Sequence, residues 1–334
     1  VSDYLKKFPK PDKANRLEVN MIFEHQSTFS MYQYSELSVE EFAQYIDFKP
    51  VNYYEMWAQK VLVCEQLGDE LNAEYIPLEG TGIGPESDEF VHLVIVGNSR
   101  MGVALGYEAA HVAHYPNFET KHKRTRITFI DRDMDRERHF FMGRYKGLFE
   151  LARHRYADAM PVCCSKCEDN RLTANLMDEC YGKWVEPWTR TDADGRPLYE
   201  HLGGDFIDVE FEFIKGSVEM PIVQRYLADA TKQQGVKMTV AICLSEPNSA
   251  VAAALYMPRE VYNSDSVHQV LVYQRYDDTL FSSLSKAKND TPFNNKIKPF
   301  GMISGLSGLR AFYNRDKLAH RIAKHYEKSD VYSC

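Results

Sequence analysis

The chain has 334 residues, of which 40 are basic and 48 acidic, so its formal charge at pH 7 is −8. A hydrophobic fraction of 44% is typical of a globular protein with a large core and excludes a disordered chain. The net negative charge argues against a protein that coats nucleic acid, because that function needs a positive surface.

The cysteine content and the apolar runs predict a cytoplasmic protein. The seven cysteines are an odd number, and several stand inside apolar runs, which fits a reducing compartment better than a disulfide scaffold. No run of roughly 18 apolar residues is present, so the sequence predicts no membrane span. The first residue is Val1 and no signal peptide precedes it, so we interpret the chain as a soluble piece of a longer protein.

Residues 1–90 are rich in aromatic side chains, and we expect them to form a separate N-terminal segment of unknown role. Ser38–Ile46 is predicted to be a helix, with Ser38 as its N-cap and Glu41 completing a capping box. Lys60–Leu67 is predicted to be a short strand. Leu78–Glu89 combines three glycines, a proline and four acids, which predicts a linker before a new domain.

From Val91 onward, apolar runs alternate with helical patterns. Five runs are predicted to be strands: Val91–Gly97, Arg126–Asp131, Val209–Gly216, Lys237–Leu244 and His268–Arg275. Helical spacing is found over 98–115, 220–233 and 248–257. This alternation predicts an α/β fold with a doubly wound, Rossmann-like parallel sheet over residues 91–302.

A helical insertion, about residues 133–205, is predicted between the second and third strands of this sheet. It includes a predicted helix over Phe141–Met160 and a cysteine cluster at Cys163, Cys164 and Cys167. Cys164 and Cys167 have the spacing of a zinc knuckle, but no second pair follows at the usual distance, so we expect no metal. Residues 303–334 are predicted to form a helical tail.

The strongest local motif is the segment from Val96 to Gly102, V-G-N-S-R-M-G, which follows a strand and opens a helix. This is the context of the dinucleotide-binding fingerprint. Gly97 permits a tight turn and Gly102 permits close packing of helix on strand, while the helix N-terminus offers N–H groups to a phosphate. Ser99 stands at the middle glycine position of that fingerprint.

Asp131 ends the second predicted strand. A carboxylate there would accept hydrogen bonds from ribose hydroxyls and repel a 2′-phosphate, which favours an NAD-type ribose. Arg132, Arg136 and Arg138 follow, in alternation with acidic residues, and this alternation favours a solvated helix start over a phosphate site.

These motifs, together with FIKGSVEMPIVQRYLADA and VAICLSEPNSAVAAAL further along the chain, resemble the NAD-binding domain of Trk-type potassium-uptake regulators. That domain is the N-terminal half of the RCK (regulator of potassium conductance) domain. Gly216 and Ser217 stand near the family's Gly-Asp pair, and Glu246 and Asn248 near its Asp-x-x-Asn helix start. The tail DKLAHRIAKHYEKS resembles the opening of a ryanodine-receptor-type repeat.

The resemblance implies a cytoplasmic regulatory module that binds NAD or another adenine nucleotide and acts without catalysis. It also implies a homodimer or higher homo-oligomer that works beside a potassium or other ion channel or transporter, at the inner face of a membrane. The candidate nucleotide-binding residues are Gly97, Asn98, Ser99, Arg100, Met101, Gly102, Asp131, Arg132, Gly216, Ser217 and Ser245.

Two other functions stay open at this point. One is an NAD-dependent oxidoreductase, which would need an acid–base histidine or a Tyr-x-x-x-Lys pair beside the nicotinamide. The other is a Rossmann-like scaffold that binds no ligand.

Overall fold

The structure is a computed structural model that describes residues 16–34, 45–62, 75–160, 180–186, 207–276 and 295–303, together with Lys7 and Phe293. The described helices and strands, in chain order, are β1 (Leu17–Phe23), α1 (Gln26–Tyr34), β2 (Ile46–Asn52), α2 (Tyr53–Leu62), β3 (Phe90–Val96), α3 (Arg100–Val112), α4 (Asn117–Lys121), β4 (Thr125–Asp131), α5 (Met134–Arg144), α6 (Lys146–Leu151), β5 (Arg153–Asp158), β6 (Val209–Lys215), α7 (Pro221–Ala230), β7 (Val236–Ile242), α8 (Pro247–Tyr256), α9 (Arg259–Asn263), β8 (Val267–Tyr273) and β9 (Ile297–Phe300).

Seven of the strands form one parallel sheet in the order β5-β6-β4-β3-β7-β8-β9. The chain moves outward from β3 to β4 in one direction, and from β3 to β7, β8 and β9 in the other. The predicted doubly wound, Rossmann-like α/β fold is therefore confirmed. The carboxyl ends of β3 and β7 flank the point where the direction reverses, which is where ligands bind in sheets of this kind.

Strand β3 is buried on both faces, as its continuous apolar sequence predicts. Leu93 and Ile95 pack in a core with α3, α5 and α6. Val94 and Val96 pack in a second core with α7 and α8 on the opposite face. The five predicted strands of the sheet and the three predicted helices between them are confirmed, with ends that differ by one or a few residues.

The first two strands and helices form what we call the N-terminal unit, residues 17–62. Strands β1 and β2 pair in parallel as a separate two-stranded sheet. Helix α2 packs on α3, and its buried Trp57 meets the ring of Phe300 at a centroid distance of 6.3 Å. Helix α2 thus joins α3, α5 and α6 in one core on the same face of the sheet.

Two secondary-structure predictions in the first half of the chain are corrected. The strand predicted over Lys60–Leu67 is wrong at its start, because Lys60 to Leu62 complete α2, and residues 63–67 lie outside the described part of the chain. Trp57, Ala58 and Val61 are buried at helical spacing against α3, and this packing fixes the helix. Of the helix predicted over Ser38–Ile46, residues 38–44 lie outside the described part of the chain, and Ile46 begins β2.

The segment predicted to be a linker, Leu78–Glu89, consists of turns that are anchored to the sheet domain. Leu78 and Ile83 are buried. The side chain of Asn117 donates hydrogen bonds to the carbonyl oxygens of Ser87 and Glu89, at 2.9 and 2.7 Å. The packing of this segment therefore joins it to the domain that follows.

The helix predicted over Phe141–Met160 is wrong in its second half, where residues 153–158 form the edge strand β5. Arg153 and Arg155 project from the same face of this strand and pair with Glu210 and Glu212 of β6. These cross-strand ion pairs stabilise a charged segment as an edge strand of the sheet. The inserted region therefore contributes a strand as well as helices.

Several predicted features lie outside the described residues. They are the cysteines Cys163, Cys164 and Cys167, and the tail helix beyond Ile303 with its repeat-like sequence. Within the described ranges, no helix combines the length and apolar character that a membrane crossing requires.

Candidate functional site

The turn after β3 has the backbone that its glycine predicts. Gly97 has φ of +95° and donates a backbone hydrogen bond to Ile130 of β4 at 2.8 Å. A Cβ atom at this position would lie 3.0 Å from the carbonyl carbon and oxygen of Cys243. Only glycine fits both the positive φ and the close approach of the chain that leaves β7.

Helix α3 begins directly on this turn. The hydroxyl of Ser99, the N-cap, accepts a hydrogen bond from the backbone N–H of Gly102 at 3.3 Å. Met101 is fully buried in the core, and Arg100 is exposed at the first helical position. The residues of the motif thus divide between a cap, a core contact and an exposed cation beside the helix N-terminus.

Asp131 connects the carboxyl ends of β3 and β4. Its Oδ2 accepts a hydrogen bond from the backbone N–H of Asn98 at 2.8 Å, and its Oδ1 accepts one from Asp133 at 2.8 Å. Each carboxylate oxygen has a second lone pair, so the half-buried group retains acceptor capacity for a ribose hydroxyl. The sequence did not predict that Asp131 would also hold the turn in place.

A second group of predicted residues meets at the ends of β4 and β6. The backbone N–H of Gly216 donates to the carbonyl oxygen of Asp131 at 3.0 Å. Arg132 donates to the Ser217 hydroxyl at 3.2 Å and forms an ion pair with Glu219. Hydrogen bonds thus bring together Asn98, Asp131, Arg132, Gly216 and Ser217, which we call the strand-end cluster.

Ser245 is exposed in the turn after β7, on the other side of the crevice. The adjacent Glu246 caps α8 by accepting a hydrogen bond from the Ser249 N–H at 2.6 Å. No described hydrogen bond joins Ser245 to the strand-end cluster.

A cavity of about 310 Å³ lies beside the start of α3, and sequence reasoning missed most of its walls. One wall is the loop from Asn98 to Arg100, a second is α5 with Phe140 and Arg144, and the third is the N-terminal unit with His25, Asn52 and Glu55. The abundance of aromatic residues before residue 90 was the available signal, but no motif tied them to a site.

A cluster of charged side chains is buried in the middle of the sheet, on the face that α7 covers. The carboxylate of Glu212 accepts hydrogen bonds from Thr128 and Tyr226, each at 2.9 Å, and forms an ion pair with Arg155. Burial raises the pKa of Glu212, but the positive charges of Arg126 and Arg155 outweigh burial and lower it from 4.5 to about 2.

His92 adjoins this cluster and is fully buried. Its Nε2 lies 2.9 Å from the Thr128 hydroxyl, which donates its own proton to Glu212, so Nε2 carries the proton and donates to Thr128. Burial, together with the charge of Arg126, lowers the pKa of His92 from 6.5 to about 3. Glu212 and His92 are fully buried, whereas the side chains of Arg126 and Arg155 are 23% and 19% exposed. The hydrogen bonds and ion pairs of this cluster join β3, β4, β5 and β6.

The described residues include no group of three or more His, Cys, Asp or Glu side chains arranged to hold a metal ion. Cys180 is half-buried and Cys243 is buried.

The comparisons with known proteins give no match. The chain matches no protein-family model, no curated protein and no solved structure.

Proposed function

We propose that this chain is a regulatory module that binds an adenine nucleotide at the carboxyl ends of β3, β4 and β6. The observation that carries the proposal is the position of Asp131 beside the turn that opens α3, joined to it by the hydrogen bond from Asn98. A helix N-terminus attracts phosphate and a carboxylate at the next strand end accepts ribose hydroxyls, which is how dinucleotides are held on sheets of this topology.

In this proposal the phosphates lie against Gly97, Ser99 and Gly102, and the ribose hydroxyls bond to Asp131. The adenine lies near Gly216 and Ser217. The ligand is NAD or another adenine nucleotide without a 2′-phosphate, because the charge of Asp131 would repel that group. Arg132 is available to a phosphate only when it leaves Glu219, its ion-pair partner.

The wider role follows from the resemblance to potassium-transport regulators. The module acts in the cytoplasm as a homo-oligomer and gates a channel or transporter for potassium or another ion. A ligand can drive such a gate only by binding one arrangement of the subunits more tightly than another. Light scattering over a range of protein concentrations, with and without nucleotide, tests this role. A strict monomer under both conditions contradicts it.

Nucleotide binding itself is tested by thermal unfolding with NAD, NADH, ATP and ADP. A ligand at a hundred times its Kd stabilises the fold by ~2.7 kcal/mol, which raises the melting temperature measurably. We expect NADP to bind more weakly than NAD, and Asp131→Asn to reduce this difference. If none of the four nucleotides shifts the melting temperature, the proposal fails and a ligand-free scaffold is the better description.

A further inference from the structure

The small sheet of the N-terminal unit has only two strands, β1 and β2, which pair in parallel along their whole length. Within the described ranges, no third strand joins either edge of this sheet. Parallel strands are usually found in larger sheets, and a pair of strands by itself is only marginally stable in water. A further strand at one of the two edges would therefore stabilise the unit.

The outer edge of β1, which faces away from β2, presents a row of backbone donors and acceptors. The N–H of Leu17 donates to the carbonyl oxygen of Tyr45, directly before β2, at 3.0 Å. The backbone groups of successive strand residues point to opposite edges, so Glu18, Asn20 and Ile22 direct their N–H and C=O groups away from β2. Such a row is a template for the addition of a strand.

The outer edge of β2 is blocked, whereas that of β1 is open. By the same alternation, Ile46 and Pro50 direct their backbone toward the outer edge of β2. Proline has no N–H to donate, and edge prolines prevent the pairing of a further strand. Strand β1 contains neither a proline nor a lysine. An added strand would therefore pair with β1.

Apolar side chains are exposed along β1. Leu17, Met21 and Ile22 are 64%, 45% and 42% exposed. Leu17, Met21 and Phe23 project from the same face of the sheet, because side chains alternate along a strand. On that face α1 packs against Phe23, whose ring lies 5.7 Å from that of Phe29 between centroids. The apolar stripe thus continues from a covered end to an exposed end, as at an interaction surface.

The sequence of β1 is complementary to itself in the antiparallel direction. When two copies pair about a twofold axis at Asn20, all the outward backbone groups from Glu18 to Ile22 find partners in the other copy. On the apolar face, Leu17 then lies opposite the partner's Phe23, and Val19 opposite the partner's Met21. Cross-strand apolar pairs of this kind stabilise a sheet.

The charges at the ends of β1 select the same register. With the axis at Asn20, Arg16 lies opposite the partner's Glu24 at both ends of the interface. A carboxylate accepts several hydrogen bonds, so Glu24 can keep its ion pair with Arg275. A shift of the register by two residues either separates Arg16 from Glu24 or places Glu18 opposite the partner's Glu24, and like charges directly opposite each other are destabilising.

We propose that the outer edge of β1 binds a second copy of this chain, so that two N-terminal units form one four-stranded sheet in the order β2-β1-β1-β2. Twofold dimers are the commonest soluble oligomers. The strands left at the two ends are both β2, whose edge Pro50 blocks. This inference names the interface of the homo-oligomer in the proposed function and rests on that function for its role, but it does not require a nucleotide.

The interface adjoins the candidate site through the residues that follow β1. Glu24 and His25 line the cavity beside the start of α3, together with Ser99 and Arg100. The dimer therefore brings the contact between subunits close to the turn on which the proposed phosphates lie.

Sedimentation velocity of the full chain over a range of micromolar concentrations tests the interface. We expect a dimer, and we expect Asn20→Pro to raise its dissociation constant by about tenfold or more, because both hydrogen bonds at the axis are lost. The N–H of Asn20 points away from β2, so its loss leaves the pairing of β1 with β2 intact. The matched control is Asn20→Ala, which keeps that N–H and should remain dimeric. Circular dichroism shows whether the proline variant is folded.

Two further variants test the interface by other means. Met21→Lys changes an exposed side chain and places two lysines near the axis, so it should also dissociate the dimer. Asn20→Cys should form a disulfide between subunits on oxidation, because hydrogen-bonded antiparallel partners have Cα atoms about 5.5 Å apart. The control is Glu18→Cys, which would lie about 13 Å from its copy. The unmodified chain, which has seven cysteines, gives the background.

Each outcome decides the proposal. A dimer that Asn20→Pro or Met21→Lys dissociates, and that Asn20→Cys cross-links, supports it. A dimer that persists in folded Asn20→Pro and in Met21→Lys shows that another surface is used, and the homo-oligomer of the proposed function still stands. A strictly monomeric unmodified chain overturns both the interface and the homo-oligomer. Preferential cross-linking of Glu18→Cys overturns the register. Thermal unfolding with NAD measures nucleotide binding separately, and we expect the same shift in Asn20→Pro as in the unmodified chain.

Discussion

A Cβ atom placed on Gly102 would lie 2.3 Å from the carbonyl oxygen of Gly97, so the first turn of α3 rests directly on the turn after β3. Contacts this short cannot be relieved by rotating a side chain, because the opposing atom belongs to the backbone. The same contact places the N-terminus of α3 at the candidate nucleotide site. The glycine pair therefore determines the local fold and the position of the site together.

The first prediction concerns this contact. Gly102→Ala should destabilise the fold by about 1–3 kcal/mol or more, because the added methyl forces the helix away from the turn. Gly143→Ala is the control, since Gly143 lies near the end of α5 with open space around it. That substitution should be neutral or stabilise by up to about 1 kcal/mol. Urea unfolding followed by circular dichroism measures both, and equal midpoints would contradict the predicted contact.

The second prediction concerns the carboxylate that spans two strand ends. Asp131→Ala leaves the N–H groups of Asn98 and Asp133 without their acceptor and should cost about 1–3 kcal/mol of unfolding free energy. Asp131→Asn keeps one amide oxygen and should cost less. Asp133→Ala is the matched control, because Asp133 makes no side-chain capping hydrogen bond to α5. If the two alanine variants unfold at the same urea concentration, the carboxylate does not hold the turn.

Most of the central sheet could be predicted from sequence because its strands are buried on both faces. Val91–Val96 is almost uniformly apolar, and a glycine follows it. Strand β5 could not be predicted in this way. Its charged residues, Arg153 and Arg155, are typical of a solvated helix. They are accommodated in the sheet by Glu210 and Glu212, which stand 57 residues further along the chain and give no local pattern.

Only part of the candidate site could be predicted from sequence, again because some of its residues follow a local pattern and others do not. Gly97, Gly102 and Asp131 could be predicted because each follows a local pattern in the sequence. The two glycines stand at a strand–helix turn, and the aspartate stands at the end of a predicted strand. The N-terminal unit has no such local sequence pattern. Tyr53 holds this unit against the sheet domain by donating a hydrogen bond to the carbonyl oxygen of Gly301, 248 residues away. Long-range contacts of this kind have no local pattern, so the wall that they place beside α3 was not predicted.

The third prediction concerns the buried ion network. Glu212→Ala removes the buried carboxylate that pairs with Arg155, while Arg126 keeps its ion pair with Glu210, and breaking a buried pair in this way should cost about 3–5 kcal/mol. Glu219→Ala is the control, because it also removes a glutamate that pairs with an arginine, Arg132, but both groups are exposed. The expected cost there is about 0–1 kcal/mol. Similar losses of unfolding free energy in the two variants would contradict this account.

The last prediction concerns acid unfolding. The pKa of His92 falls from 6.5 to about 3 on folding, so below pH 6.5 the unfolded chain binds a proton that the native chain does not. The stability that depends on neutral His92 is therefore lost as pH falls from about 6.5 toward 3. Between about pH 6 and pH 5, the unfolding free energy of the unmodified chain should fall more steeply than that of His92→Gln, by up to about 1.4 kcal/mol per pH unit. The measurement is a series of urea unfolding curves across this range, and parallel pH profiles for the unmodified chain and His92→Gln would show that the buried imidazole does not resist protonation.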